Sequence, residues 1–158
     1  MGNPNPTCVV LGLGFEPDIA LGLIEELEPA AVSIWRPTGH EADYSAKIAE
    51  NNALLIEMLG GDDACVHYDV NDWYGLTNDL VLFLDRARDE FKPVIIPFGP
   101  KIFACSAIFS AICLGEEICV WRVSPVVFDE PIDRIPCGTV EFLGFRFGTK
   151  FSGDELFG

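Results

Sequence analysis

Apolar positions occur along the chain in two alternating patterns. Short runs of consecutive apolar residues alternate with longer stretches in which apolar residues recur every three or four positions, as they do in amphipathic helices. The short runs are typical of strands that are buried on both faces of a sheet. They predict strands at residues 7–13, 31–35, 64–68, 94–98 and 118–123, and the longer stretches predict helices at residues 17–27, 43–59, 73–91 and 102–114.

Four repeats of a strand followed by a helix predict an α/β domain with a mostly parallel sheet and helices on both faces. Because crossovers between parallel strands are right-handed, the simplest strand order is 3-2-1-4-5, which is an open, Rossmann-like sheet. Residues 138–147 alternate loosely in polarity and predict a further strand at the edge of the sheet. We expect residues 1–158 to form one domain with a loosely ordered tail at residues 149–158.

The fold class predicts where a ligand would bind. In open α/β sheets, ligands lie outside the carboxyl ends of the strands, at the point where the strand order reverses. In the predicted order this point lies between the first and fourth strands. The loops that follow them, residues 12–17 and 98–101, are the βα turns richest in glycine and proline. We therefore expect a binding site around these two loops.

The first loop begins a dinucleotide-binding pattern and does not complete it. Gly12 and Gly14 match the start of G-x-G-x-x-G, and Pro17 stands where the third glycine belongs. Glu16 and Asp18 would repel a pyrophosphate from the start of the following helix. We expect neither NAD nor FAD, and no other cofactor. The two glycines either only turn the chain or lie against the sugar or base of a ligand.

The second loop is the better candidate for binding an anion. Gly99 allows a close approach of the backbone, and Pro100 stiffens the turn. Lys101 supplies a positive charge at the start of a helix, where a cation is unfavourable for the helix dipole, so its position indicates another use. The alternative is that Lys101 is simply solvated. Further expected contacts come from the free amides of Ile102 and Phe103 and from the hydroxyl of Ser106.

Other charged residues lie near the predicted strand ends. Arg36 follows the second strand and Arg122 lies at the end of the fifth, so both could contact the phosphate of a ligand; the alternative is a surface ion pair. Asp69 and Asp72 follow the third strand, where paired acids can hold Mg²⁺ or a ribose hydroxyl. Capping of the next helix is the commoner role for Asp72. Asp69 remains a candidate ligand contact.

The helix at residues 102–114 has apolar or small residues all round. Such a helix is buried on more than one side, whereas a helix on the surface of a two-layered sheet should show a polar face. We expect a second copy of the chain to cover it in a symmetric homodimer.

Composition narrows the classes of partner. A net charge of −15 opposes binding to duplex nucleic acid, whose affinity comes largely from basic residues on phosphates. No apolar run reaches the ~18 residues of a membrane span, and the polar start lacks the regions of a signal peptide, so we expect a cytoplasmic protein without a membrane partner. Six scattered cysteines form no zinc or redox pattern and are expected to be buried and reduced.

Two segments, VVLGLGFEPDIALGLIEELEP and VIIPFGPKIFACSAIFSAICL, resemble the CRISPR-associated Rossmann-fold (CARF) domains. In both, a strand ends at a glycine turn that leads into a helix. The likeness spans residues 7–124, mostly as pattern. In the family the second turn often reads Thr-Gly-Gly-Thr-Lys; this chain holds the glycine and the lysine and lacks the threonines. The matching residues are Gly12, Gly14, Phe15, Gly99 and Lys101.

The resemblance implies a homodimer that binds a cyclic oligoadenylate across its two-fold axis and serves in defence or signalling. Some CARF domains slowly cleave this ligand, with a ribose 2′-hydroxyl attacking in line. Family members are usually fused to an effector, so here we expect either a separate effector protein or a stand-alone sensor or sink for the ligand. Two alternatives stay open: a small nucleotide-modifying or phosphotransfer enzyme using Lys101 with Asp69 or Asp72, and an interaction module without a ligand.

Overall fold

Strands and helices alternate along the part of the chain that the structure describes. The computed structural model describes residues 5–39, 42–115 and 118–123, so the strand predicted at residues 138–147 and the tail at 149–158 lie outside the described residues. The strands are β1 (Thr7–Gly12), β2 (Ala31–Thr38), β3 (Cys65–Asp69), β4 (Lys92–Pro97) and β5 (Cys119–Val120). The helices are α1 (Pro17–Leu27), α2 (Ala42–Asn51), α3 (Ala53–Met58), α4 (Trp73–Ala87) and α5 (Lys101–Leu114), and a 3₁₀ turn (Asp62–Ala64) precedes β3.

The five strands form one sheet in the order β3-β2-β1-β4-β5, and every neighbouring pair is parallel. The predicted order 3-2-1-4-5 is therefore confirmed, and with it the Rossmann-like α/β class. Gly12 at the end of β1 pairs with Trp35 on one side and with Pro97 on the other. Because β1 ends level with β4, the loops that follow the two strands start side by side.

Alternate residues of the strands face two separate apolar cores. On one face, Val9, Ile34 and Ile96 pack with residues of α1, α2 and α3. On the other face, Val10 and Trp35 pack with residues of α4 and α5. Side chains of a strand point alternately to its two faces, so continuous apolar runs fill both cores at once.

No helix among the described residues is long and apolar enough to cross a membrane.

Two strands include prolines that lay outside the predicted strands. β2 runs to Thr38 through Pro37, and β4 starts at Lys92 before Pro93. At Pro37 the pairing with β1 has already ended and only β3 remains beside β2. At Pro93 the pairing with β5 has not begun. Proline lacks the N–H that a central strand needs, and it is tolerated where only one neighbour is present.

The helix predicted at residues 43–59 is two helices in the structure. α2 ends at Asn51 and α3 begins at Ala53. The break falls at Asn52, which is buried with 1% of its surface exposed. An apolar period of three to four residues runs through the break, so the pattern alone predicted a single helix.

The capping predicted for α4 is confirmed, because Asp72 Oδ1 accepts a hydrogen bond from the Gly75 amide at 2.8 Å.

Candidate functional site

The loops after β1 and β4 pack directly on each other. A Cβ atom added to Gly14 would lie 2.0 Å from the carbonyl oxygen of Phe98, and one added to Gly99 would lie 2.9 Å from that of Leu13. The Phe98 amide also donates to the carbonyl of Gly12 at 3.2 Å. We call residues 12–16 and 98–101 the loop pair. Gly14 and Gly99 are therefore needed for the packing of the loop pair itself, whether or not a ligand lies against them.

Gly12 is needed for a different contact. A Cβ atom at this position would lie 2.5 Å from two carbon atoms of the Phe103 ring. Phe103 is fully buried and belongs to the core beneath α5. Because Gly12 has no side chain, the Phe103 ring lies against the end of β1. This contact brings the start of α5 to the loop pair.

Asn52 ties the first loop to the helix layer. Its side-chain amide donates to the carbonyl of Gly14 at 2.9 Å and to the carbonyl of Ile48 at 2.8 Å. The second bond closes the end of α2, and the first holds the loop from 38 residues away along the chain. We did not predict this role. The signal in the sequence was a single asparagine inside an apolar helical period.

The start of α5 presents donors to the loop pair. Pro100 is the N-cap residue and Lys101 is the first residue of the helix, with its side chain exposed. The Phe103 amide donates to the Pro100 carbonyl at 2.9 Å, so the prediction that this amide is free is wrong. The amides of Lys101 and Ile102 have no acceptor in the described part of the chain, and the first turn contains no acidic residue.

The hydroxyl of Tyr68 lies beneath the second loop. A Cβ atom on Gly99 would lie 3.1 Å from this oxygen. Tyr68 is 4% exposed, and its hydroxyl has no hydrogen-bond partner among the described residues. Burial, with a smaller contribution from nearby Tyr44, raises the pKa of Tyr68 above its ordinary value. The hydroxyl therefore stays protonated and is a buried donor without an acceptor, next to the start of α5.

Tyr68 was not among the predicted site residues. It ends the predicted third strand, and an aromatic residue in a strand is ordinarily explained by packing. Its ring does pack, with its centroid 5.3 Å from that of Phe103. The position at the carboxyl end of a strand was the one signal that could have indicated a role at the site.

Phe15 supplies an exposed aromatic ring at the rim of the loop pair. The ring is 37% exposed. It meets the ring of Tyr44 edge to face, with the centroids 5.5 Å apart. This contact supports the ring from α2. An exposed, supported aromatic ring beside a group of donors is a surface on which a flat ligand could stack.

Arg122 lies near the first loop. It follows β5 by two residues and lines a cleft of about 190 Å³ together with Glu16, Phe98 and Trp121. Phe98 and Glu16 belong to the loop pair, so the structure brings Arg122 to the predicted region.

Arg36 lies inside β2 and not after it as predicted, because β2 continues to Thr38. Its guanidinium pairs with Asp62, which precedes β3. The structure thus shows an ion pair for Arg36, which was the alternative role for this residue. Contact of Arg36 with a ligand stays a prediction.

Ser106 and Asp69 are engaged in local structure. Ser106 is fully buried, and its hydroxyl accepts from Thr77 Oγ1 at 3.0 Å between α4 and α5. Asp69 Oδ1 accepts from the backbone and side-chain nitrogens of Asn71, at 2.8 and 3.0 Å, and so closes the turn after β3. Ligand contacts by these two side chains stay predictions. No group of three His, Cys, Asp or Glu side chains suited to a metal ion occurs among the described residues.

The fold and the loop pair define the chain as a Rossmann-like α/β protein with a candidate anion-binding site at the reversal of its strand order. No protein-family model matches the sequence. A search of curated proteins likewise gave no significant match.

Proposed function

We propose that this protein is a sensory or regulatory domain that binds a nucleotide at the loop pair. One observation carries the proposal: the buried, unpartnered hydroxyl of Tyr68 lies at Gly99, directly before two unbonded amides at the start of α5. Buried polar groups almost always have a partner, and an acceptor on a ligand or on an ordered water at this loop would satisfy the Tyr68 hydroxyl.

The donors at this site fit a phosphate group. Three groups can donate hydrogen bonds to an anion: the amides of Lys101 and Ile102 and the phenol of Tyr68. The ammonium of Lys101 also donates, and it adds a positive charge. The start of a helix adds a partial positive charge. Because the whole chain carries −15, its long-range field repels anions, and binding depends on these local donors.

The exposed ring of Phe15 fits the other part of a nucleotide. A phosphate group does not stack on an aromatic ring, whereas a nucleobase does, with a gain of roughly 1–3 kcal/mol. Phe15 lies next to Gly14, which contacts Phe98, so base and phosphate surfaces belong to the same pair of loops. With the resemblance to CARF domains, this favours a cyclic oligonucleotide second messenger in a defence or signalling system, read by a separate effector.

The proposal includes a homodimer formed through α5. This helix buries Phe103, Ser106, Ala107 and Ser110 within its own chain. The opposite side is exposed, and Cys105, Ile108 and Ile112 lie there in a stripe that starts at Lys101. Exposure of Cys105 and Cys113 also corrects the expectation that all cysteines are buried. Pairing of two such stripes about a two-fold axis hides the apolar surface and places two loop pairs at one interface.

Ile108→Glu is expected to make the protein monomeric, because Ile108 is 53% exposed in the middle of the stripe and a charge there would be buried without a partner. Light scattering coupled to size-exclusion chromatography measures the mass of the particle. Leu54→Glu is the matched control, since Leu54 is 64% exposed on α3 and the variant should keep the wild-type mass. A wild-type protein that elutes as a monomer at all concentrations contradicts the dimer.

A thermal-shift panel of mononucleotides, dinucleotides, cyclic oligonucleotides and pyrophosphate tests the function. A ligand at a hundredfold excess over its dissociation constant stabilises the native state by about 2.7 kcal/mol. We expect a shift with one nucleotide class in the wild-type protein. In Tyr68→Phe we expect affinity for that class to fall about tenfold, the effect of one hydrogen bond to a charged group. Without ligand, the melting temperature of this variant should be no lower than that of the wild type, because the variant loses only an unpaired hydroxyl. Absence of a shift with every compound contradicts the proposal.

A further inference from the structure

A second concave surface lies on the sheet face that carries α4 and α5. It is a groove of about 780 Å³. Its floor is formed by β2 and β3, including Trp35 and Val66, and its wall is formed by α4. Cys8 and Ala31, which lie at the starts of β1 and β2, also line it. The groove is therefore nearer the amino ends of the strands, away from the loop pair.

The groove exists because the two sheet faces are covered unequally. Three helices pack on one face. On the other face, α4 packs on β3 and β4 and α5 packs on β4 and β5. The strand faces of a parallel sheet are ordinarily covered by helices. Ala31, Val32 and Ser33, in the first half of β2, line the groove on this face.

The shape of the groove follows α4. Its wall is formed by Asp79, Phe83 and Ala87, which occupy successive turns of one helix face. At 1.5 Å per residue this part of the wall is about 12 Å long, and the groove continues past the end of α4 to Phe91. The wall thus runs along more than two turns of α4, and a concave surface that follows a helix is one on which a neighbouring helix can pack.

The floor selects an apolar surface. The indole N–H of Trp35 donates to Ser33 Oγ at 3.1 Å, so this donor is already used, and Trp35 is 1% exposed. Leu82 stands at the border of the groove and is 49% exposed. Covering this side chain removes apolar surface from water, which favours binding of an apolar partner.

The border of the groove is acidic. Asp79 and Glu90 line it, and Asp63 is exposed beside the lining residue Ala64. The opposing charges are those of Arg86, which lines the groove, and of Lys92, which is exposed beside the lining residue Phe91. The chain as a whole carries −15, so the local and the overall field both attract a cationic partner.

We propose that the groove along α4 binds an amphipathic helix of a partner protein, with apolar residues on the face toward Val66 and Leu82 and with lysine or arginine on its flanks. This is the helix-in-groove mode of recognition, in which anchors recur at i, i+3, i+4 and i+7. The inference is independent of nucleotide binding, because it shares no residue with the loop pair.

A designed peptide of four helical turns tests this inference. The probe carries leucines at the i, i+3, i+4 and i+7 spacing and lysines on both flanks, with a fluorescent label for anisotropy at physiological salt. Two control peptides replace the lysines by glutamates or the leucines by serines. We expect the lysine-flanked probe to bind at least tenfold more tightly than either control. Equal binding of the serine peptide overturns the proposal, because it shows attraction by charge alone.

Two pairs of variants locate the binding. Leu82→Asp should lose the probe although it adds an attractive charge, while Leu54→Asp, at a position on α3 that is 64% exposed, should bind normally. Asp79→Lys should weaken the lysine-flanked probe and strengthen the glutamate-flanked one, and Glu57→Lys on α3 should do neither. Equal effects within a pair contradict the site. Binding of the amphiphilic anionic dye 8-anilinonaphthalene-1-sulfonate to the groove without binding of the probe identifies a small-molecule site instead and also overturns the proposal.

Discussion

Gly14→Ala is expected to lower the free energy of unfolding by about 3 kcal/mol, at the upper end of the range for overpacked positions. The added Cβ atom would lie 2.0 Å from the carbonyl oxygen of Phe98 and 2.7 Å from its carbon. These are backbone atoms, so no side chain can rotate away to make room. Denaturation by urea, followed by fluorescence of the tryptophans, measures the loss as a lower midpoint at an unchanged slope.

The first loop cannot move to relieve this contact without further loss. Asn52 holds the carbonyl of Gly14 from one side. The Phe98 amide holds the carbonyl of Gly12 from the other. A shift of the loop breaks one of these bonds and leaves a buried group unpaired, at a cost of about 1 to 3 kcal/mol. The clash and its relief therefore both destabilise the fold.

Gly22→Ala is the matched control for this variant. Gly22 lies inside α1, and an added Cβ atom there would meet nothing within 4 Å. The substitution should raise the free energy of unfolding by about 0.5 to 1 kcal/mol, since alanine is the better helix former. Opposite signs for the two alanine substitutions are the expected result. If Gly14→Ala is as stable as the wild type, the loops do not pack as closely as the structure places them.

The strand order could be predicted because two local properties determine it. Continuous apolar runs such as residues 94–98 require burial on both faces, and right-handed crossovers leave few arrangements of parallel strands. Both properties are read over a few residues at a time. The ends of the strands were less accurate, because Pro37 is tolerated in β2 only through the earlier end of β1. The point at which β1 stops pairing with β2 depends on the whole sheet and cannot be predicted from the sequence of β2 alone.

The site was predicted as a region and only in part as a set of side chains. The adjacency of the loops at Gly14 and Gly99 follows from the strand order. The roles of Asn52 and Tyr68 depend on contacts between residues far apart along the chain, 38 positions in the case of Asn52 and Gly14. Ser106 was predicted as a ligand contact because it lies one turn after Lys101. That position gives no information about Thr77, which donates a hydrogen bond to the Ser106 hydroxyl.

Lys101→Ala is expected to reduce the affinity for a phosphate-bearing ligand by roughly tenfold to a hundredfold, the range for one hydrogen bond to a charged group. The same substitution should stabilise the free protein by about 0.3 to 1 kcal/mol, because it removes a cation from the positive end of the α5 dipole. Lys101 is exposed and is the first residue of that helix. The two effects have opposite signs, which separates a loss of binding from a loss of structure.

Lys92→Ala removes the same charge from the opposite edge of the sheet. Lys92 is exposed at the start of β4, so the variant changes the overall field of the protein as Lys101→Ala does and leaves the loop pair intact. Its affinity for the ligand should therefore stay within about twofold of the wild type, since charges farther apart than the ~8 Å screening length at physiological salt interact weakly. Calorimetric titration measures both affinities. Equal losses in the two variants would place the contribution of Lys101 in the net charge rather than in a contact with the ligand, and the anion site at the start of α5 would be wrong.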